Sequence, residues 1–459
     1  MTEKPPYRIL DVAEIHALPR NGLTVISTFS GAGGSCLGFA WAGYQTVAAC
    51  EFVEAARDTY RANFPGVPIY EGDVRGVSGD ELLALAGVDS VDVLEGSPPC
   101  SSFSTAGKRS AHWGQVRSYS DTEQRTDDLF DEYLRLVGEI RPRAFVAENV
   151  AGLVKGVSKG YFREVIASAR AKGYRVGARV LDAQWLGVPQ RRTRVIIVGF
   201  RDDLDLEPVF PDPLPYRYTI RDALPWLDGA ATRDGRRLDG DDPAPTVQTH
   251  GRLATRSELA AIGPELETTG HRAGTRTQHS LDLPSAAVTS GGMGNLRAGQ
   301  VLISDEDIAL NYGPKNRRSA SFDDPAPTVM ARGIGGVREY QATVPDGDGP
   351  SLDGYAVGAE YDRLAPGESS DKYMNLVRPD ADEPCPTVTQ LGGHSPGIAS
   401  VAHPTERRKF TIAELRRICG FPDDFVLTGT YAQQWERCGR AVPPPMMHAV
   451  AAKVAEMLA

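Results

Sequence analysis

Three short stretches carry side chains with the means for chemistry. The first, Gly96-Ser97-Pro98-Pro99-Cys100-Ser101-Ser102-Phe103-Ser104, sets a thiol behind two prolines. Proline fixes φ and removes a backbone donor, so the strand read over Val91-Asp92-Val93-Leu94 must stop there. Cys100 is thereby expected at a rigid strand end with a Ser- and Gly-rich segment after it. A thiolate is the strongest nucleophile a side chain offers, with a reactivity set by pKa and access. Taken alone, such a cysteine reads equally as buried and inert. The second stretch, Glu148-Asn149-Val150, puts a carboxylate after the apolar run Ala144-Phe145-Val146-Ala147. The third, Gln190-Arg191-Arg192-Thr193-Arg194, clusters guanidinium groups at a strand start, where a charge run is commonly just solvated.

These side chains need elements to hold them. Thr24 to Phe29 alternates β-branched and polar residues as a strand does, then meets Ser30-Gly31-Ala32-Gly33-Gly34 and a helix carrying Leu37, Phe39 and Trp41. Strand, glycine turn and helix open a nucleotide-binding βαβ unit. A second strand, Thr46 to Cys50, ends at Glu51, twenty positions after Gly31, where a carboxylate meets ribose hydroxyls in such folds. Helical pattern follows from Ala55 to Asn63, and Tyr70-Glu71-Gly72-Asp73-Val74 gives another strand end. Leu129, Tyr133, Leu136, Val137 and Ile140 share one helical face. A helix from Tyr161 to Ala171 and strands at Val176–Leu181 and Arg194–Phe200 continue the alternation, which indicates a doubly wound α/β domain.

Bulk properties bound the reading. At 459 residues, about two or three domains are expected. A composition of 41% hydrophobic and 24% charged residues is that of a globular protein, and no stretch approaches the ~18 apolar residues of a membrane span. The first residues lack the apolar core of a signal peptide, and the six scattered cysteines show no metal-ligand spacing, so a reduced, cytoplasmic protein is expected with no metal and no membrane. A net charge of −10 argues against coating nucleic acid by bulk charge, though not against a local basic cleft.

After about Arg201 proline and glycine become frequent, and helical periodicity is lost until about Phe410. The region holds a degenerate repeat. Asp241-Asp242-Pro243-Ala244-Pro245-Thr246-Val247 recurs as Asp323 to Val329, with weaker copies at Asp282 to Val288 and Asp382 to Val388. Each reads as a turn feeding a short strand, either a repeated turn device or a surface that presents loops to an extended partner. Helical pattern returns at Thr411–Ile418 and Pro445–Leu458.

In combination these segments resemble the cytosine-C5 DNA methyltransferase family. Phe29-Ser30-Gly31-Ala32-Gly33-Gly34 is similar to its first cofactor motif, and Pro98-Pro99-Cys100 to its nucleophile motif. Glu148-Asn149-Val150 and Gln190 to Arg194 match its carboxylate and Gln-Arg-x-Arg motifs. Arg408-Lys409-Phe410-Thr411 with Glu414, Arg417 and Gly420-Phe421-Pro422 matches its ninth, and Gly439-Arg440-Ala441-Val442 falls where the family has Gly-Asn-Ser/Ala-Val. The resemblance implies a Rossmann-like methyltransferase domain at 22–205, an inserted, β/loop-rich target-recognition domain at 206–425 and a C-terminal segment, 426–459, returning to the first.

It further implies that Cys100 attacks C6 of a cytosine flipped out of double-stranded DNA, since a stacked base is out of reach. Glu148, carrying a proton, serves N3; Arg194 holds O2; Arg192 braces the loop of Cys100. S-adenosyl-L-methionine is the expected cofactor, held by Phe29, Ser30, Gly31, Gly33, Gly34, Glu51, Phe52, Asp73, Val74, Pro99, Leu129, Arg440, Ala441 and Val442. Ser101 to Thr126 is expected to close on the DNA, and Arg233, Arg236, Arg237, Arg252, Arg256, Arg317 and Arg318 to meet phosphates or guanine edges. A monomer with a cognate restriction endonuclease completes the expectation.

Three positions depart from the family pattern: Ser101 for Gln, Ser30 for a small apolar residue, and Arg440 for Asn. An arginine beside a sulfonium raises the alternative of a donor with an extra carboxylate, carboxy-S-adenosyl-L-methionine, which an arginine can pair. Two other classes compete. A catalytically silent DNA-binding relative has against it the intact Cys100, Glu148 and Arg194. A nicotinamide dehydrogenase leaves Pro98-Pro99-Cys100 and Gln190 to Arg194 without a purpose. A transfer RNA substrate stays open within the same chemistry, though the large region before Arg408 favours duplex DNA.

Overall fold

Strands β1 (Thr24–Thr28), β2 (Gln45–Cys50), β3 (Ile69–Tyr70) and β4 (Val93–Gly96) run parallel, as does β7 (Ala144–Val150) beside β4. Two antiparallel strands, β8 (Tyr174–Asp182) and β9 (Thr193–Arg201), complete one side, and β10 (Gln300–Ile303) pairs with β8. The sheet order is β10-β8-β9-β7-β4-β1-β2-β3, while β5 (Arg117–Tyr119) and β6 (Thr122–Gln124) form a separate hairpin. The structure, a computed structural model, describes residues 4–99, 117–119, 122–124, 128–155, 158–228, 300–303 and 349–459. Cys100, most of the loop after it, the first three repeat copies and the seven arginines singled out between 233 and 318 lie outside the described residues.

Both faces of the sheet are covered, which explains why its strands read as nearly continuous apolar runs. On one face Ile26, Leu94, Phe145 and Ile197 meet α5 (Leu129–Ile140) and α6 (Ser158–Ala171) through Tyr133, Val137, Phe162 and Val165. On the other face Val25, Val93, Val146, Ile196 and Val198 meet Phe39 of α2 (Gly34–Trp41) and Met446, Val450 and Val454 of the last helix, Pro444–Leu458. Gly199 stands opposite Phe145, and a Cβ there would lie 2.1 Å from the ring, so the aromatic side chain lies over the strand.

The remaining helices are α1 (Val12–Ala17), α3 (Glu54–Asn63), α4 (Gly79–Ala86), α7 (Ile220–Ala223), α8 (Ala356–Tyr361), α9 (Ile412–Ile418) and α10 (Tyr431–Arg440), which makes the last helix α11. Five differ from the sequence expectation: α1, α4, α7, α8 and α10. The lead-in contains α1, closed by a reciprocal Asp11–Glu14 capping box, and α8 interrupts a region read as free of helix. Helix α10 was not expected because it buries Trp435, Cys438 and Gly439 together with charged Glu436 and Arg437, which blurs the apolar period. The strand expected to end at Glu148-Asn149-Val150 runs through Val150, where β9 extends the ladder with Val150 opposite Arg194.

Helices α2 and α11 touch backbone to backbone. A Cβ on Gly38 would come within 2.7 Å of Met447 Cβ and 2.8 Å of the Pro444 carbonyl oxygen and the His448 nitrogen. Overpacking of this kind costs ~1–3 kcal/mol, more than the ~1 kcal/mol that alanine gains over glycine in a helix. Gly38→Ala should therefore lower the urea midpoint, whereas Gly160→Ala on α6, with nothing within 4 Å of its Cβ, should hold or raise it.

Candidate active site

Antiparallel register brings the carboxylate and the guanidinium of the two polar stretches together. Val150 faces Arg194 and Glu148 faces Ile196, so Glu148 and Arg194 are diagonal neighbours on one face of the sheet. Arg194 Nε lies 2.7 Å from Glu148 Oε1, with both side chains largely buried. Asn149 turns the opposite way, and its Nδ2 donates to the Pro98 carbonyl at 2.9 Å. That bond ties the carboxylate strand to the turn that leads into Cys100. The sequence showed Asn149 only as part of a motif; nothing local marks it as a tie.

Arg192 is buried and donates from Nη2 to the Gly439 carbonyl at 2.9 Å. Burial, together with the neighbouring Arg194, pushes it down to about 9. Its Nε and Nη1 meet no acceptor among the described residues. The segment itself is held by the fourth repeat copy. Cys385 pairs with Gln190: the Cys385 N–H donates to Pro189 at 3.0 Å, and the Arg191 N–H donates to Cys385 at 2.8 Å. Thr387 Oγ1 donates to the Arg191 carbonyl at 2.6 Å. This copy is an extended segment that clamps the arginines.

The glycine turn opens on a cavity of about 940 Å³ counted to its open mouth. Phe29, Ser30, Gly31, Gly34, Glu51, Phe52, Val74, Pro99, Arg440, Ala441 and Val442 line it, joined by Ser35, Ser97 and Arg437. Three expected cofactor residues stand behind this lining: Gly33 caps α2 at φ 92°, Asp73 accepts from the Arg75 N–H, and Leu129 is fully buried in the core. Phe29 holds a φ of 53°, rare for an aromatic residue, and strain of this kind gathers at ligand sites. The wall from the C-terminal segment is tight, since a Cβ on Gly34 would lie 2.5 Å from the Val442 carbonyl oxygen.

Glu51 is buried at the cavity and accepts from the Gly31 and Val53 N–H groups, each at 2.7 Å. Burial raises its pKa, and these two bonds oppose the shift. On the opposite wall Arg437 and Arg440 lie one turn apart on α10. Arg440 Nε binds Glu436 Oε1 at 2.6 Å, and Arg437 Nη1 lies 3.6 Å from Glu436 Oε2.

With this geometry in view, comparison with known proteins is decisive. The family model of the C-5 cytosine-specific DNA methylase matches residues 23–258 and 327–456. The chain belongs to the C-5 cytosine-specific DNA methylase family. It is 38% identical over 203 residues to Type II methyltransferase M1.HphI of Haemophilus parahaemolyticus, which covers 44% of this chain and 52% of that protein. It is 26% identical over 448 residues to Type II methyltransferase M.DdeI of Desulfomicrobium norvegicum, which covers 94% and 88%. The chain thus spans about half the length of the more identical relatives. The fold is similar to that of an Escherichia coli prophage protein described as a DNA modification methyltransferase, with a TM-score of 0.56 at 19% identity over 95% of this chain and 99% of that one.

Methyltransferases of this family use S-adenosylmethionine in general, and the cavity of this chain fits an adenosyl group. Phe29, Phe52, Val74 and Pro99 offer apolar faces, Glu51 offers a carboxylate, and the glycine turn leaves room for close approach. Sequence reasoning missed Arg437 and Glu95. Arg437 is three residues before Arg440, a spacing that becomes a signal only once α10 is known to be a helix. Glu95, in an apolar strand, is 1% exposed and accepts from Ser27 Oγ, from Ser35 Oγ at 2.8 Å and from Cys36 Sγ at 3.7 Å.

Burial pushes Glu95 up to about 7. Between its ordinary value of 4.5 and about 7, the folded protein keeps a proton that the unfolded chain has lost. Stability tied to Glu95 is therefore full below 4.5 and is lost as pH rises through about 7. The shift corresponds to about 3 kcal/mol. Glu95→Gln should melt with the parent protein near pH ~5 and several degrees above it near pH ~8.5, as read by calorimetry.

Proposed function

We propose that this chain is a DNA (cytosine-5-)-methyltransferase whose nucleophile is Cys100. The observation that carries the reading is the Glu148–Arg194 pair, tied through Asn149 to the Pro98-Pro99 turn. In this reading a cytosine enters the cleft flipped out of duplex DNA, and the Cys100 thiolate adds to C6. Arg194 holds O2 and Glu148 meets N3, so the charge that builds on the ring falls on paired partners. Arg192, with donors to spare, braces the loop of Cys100. The bound donor supplies the electrophilic methyl group that C5 takes. Loss of the C5 proton then expels Cys100 as thiolate and restores the ring.

S-adenosyl-L-methionine is the donor of this reading, with Glu51 at the ribose hydroxyls and Phe29, Phe52 and Val74 around the adenine. A carboxymethyl donor is the second reading, favoured by one observation: Arg437 and Arg440 both line the cavity. Their guanidinium groups suit a carboxylate on the transferred carbon, although Glu436 already balances part of their charge. The region 206–425 serves as the target-recognition part, and its fourth repeat copy anchors it to the arginines at 191 and 192. The Type II names of the relatives favour partnership with a cognate restriction endonuclease, and action as a monomer in the cytoplasm completes the proposal. No helix among the described residues is long and apolar enough to cross a membrane.

Nucleosides from duplex DNA treated with the protein and both donors should contain 5-methylcytosine, and Cys100→Ala should yield none while still binding DNA. Duplexes with 5-fluorocytosine at the target should trap the parent protein covalently, since fluorine cannot leave as a proton does. Full activity in Cys100→Ala removes the assignment. A 5-carboxymethylcytosine product that Arg440→Asn shifts toward 5-methylcytosine selects the second donor.

A further inference from the structure

Among the described residues, Glu95 is a buried carboxylate without a cationic partner. The polar groups around it are the neutral Ser27, Ser35 and Cys36. Its relation to the cavity is direct: Ser35, whose hydroxyl binds Glu95 Oε2, lines the cavity, as do Ser97 and Pro99 just beyond the end of β4. A carboxylate in this setting destabilises the folded chain unless a positive charge approaches it. Ligands that carry that charge are then favoured over ligands of the same shape that lack it.

We propose that Glu95 is the counter-charge that lets the cavity hold a sulfonium donor and release its neutral thioether product. This inference rests on the donor assignment above. A transferred carbon leaves the sulfur without its charge, so donor and product differ at that atom while sharing adenine, ribose, amino and carboxyl groups. Glu51 meets the shared part and contributes to both. Glu95, one hydroxyl behind the wall, acts on the difference. It is a specificity-determining residue that touches no reacting atom.

The groups that face Glu95 from neighbouring elements leave it as the one that changes charge near neutrality. Cys36 on α2 and Tyr60 on α3 are both shifted upward by burial, and Tyr60 donates to Cys36 Sγ at 3.4 Å. Tyr133 on α5, which donates to the Leu94 and Val146 carbonyls, is also raised. Glu148 on β7 lies near enough to oppose ionisation of Glu95, and Arg194 pairs it. Across the cavity stand Glu51, Arg437 and Arg440, the two arginines sharing Glu436.

The test is calorimetric binding of S-adenosylmethionine and S-adenosylhomocysteine to the full chain between pH ~6 and ~8.5. With Glu95 titrating near 7, its ionised fraction rises about tenfold over that range. The ratio of product to donor Kd should rise with it by up to about tenfold in the parent protein and stay level in Glu95→Gln. Comparison of the two proteins removes the small difference between the amino groups of the ligands. Donor binding at pH ~7 should also release more protons than product binding, a readout that needs no variant. Product binding by Glu95→Gln verifies its fold; should the variant not fold, the pH course and proton release of the parent protein decide. A ratio indifferent to pH, or equally pH-dependent in Glu95→Gln, overturns the counter-charge. If neither ligand binds the parent protein, the donor assignment falls first and this inference with it.

Discussion

The contact on which the site depends is the one between the glycine turn and the return of the chain at Ala441-Val442. Gly34 has no Cβ, and the Val442 carbonyl oxygen occupies the space one would take. Four residues on, Gly38 does the same for α11. These two approaches fix α10 against the mouth of the cavity, so Arg437 and Arg440 face Glu51 across it. A sheet with its first cofactor turn but without this return has a groove; with it, the chain has a cavity. The same return reaches the catalytic side, because the Gly439 carbonyl accepts from Arg192.

Several charges in this region are arranged in pairs. Glu148 has Arg194, Arg440 has Glu436, and Arg408 binds Glu414 in the buried motif before α9. Lys409 donates to the carbonyls of Gly392, Ser395 and Ile398 and holds their loop against α10. Among the described residues, Glu51 and Glu95 are met by neutral donors: Glu51 by the Gly31 and Val53 N–H groups, Glu95 by the side chains of Ser27, Ser35 and Cys36. Buried ionic groups are costly unless paired, so an unpaired one beside a ligand cavity has a reading in terms of the ligand.

Much of this was legible in the chain because strand and helix periods expose themselves when both sheet faces are buried. The glycine turn, the Glu51 spacing and the order of Cys100, Glu148 and Arg194 needed only local pattern. What was not legible depended on partners distant in sequence. The pairing of Glu148 with Arg194 was not among the readings, because nothing local reveals that β9 extends the ladder to Val150. Helix α10 was missed because its buried face carries Glu436 and Arg437, and an apolar count treats these as solvent-facing. Glu95 sits in a run of buried residues, where its charge has meaning only beside Ser35.

The cavity is walled by residues from opposite ends of the chain: Phe29 to Gly34 on one side, Arg437 to Val442 on the other. A ribosome makes the first wall long before the second. A nascent chain that has emerged only as far as β9 carries both Glu148 and Arg194, yet only half of the cavity wall. Its affinity for any adenosyl ligand must wait until the last stretch has been made and has packed against α2.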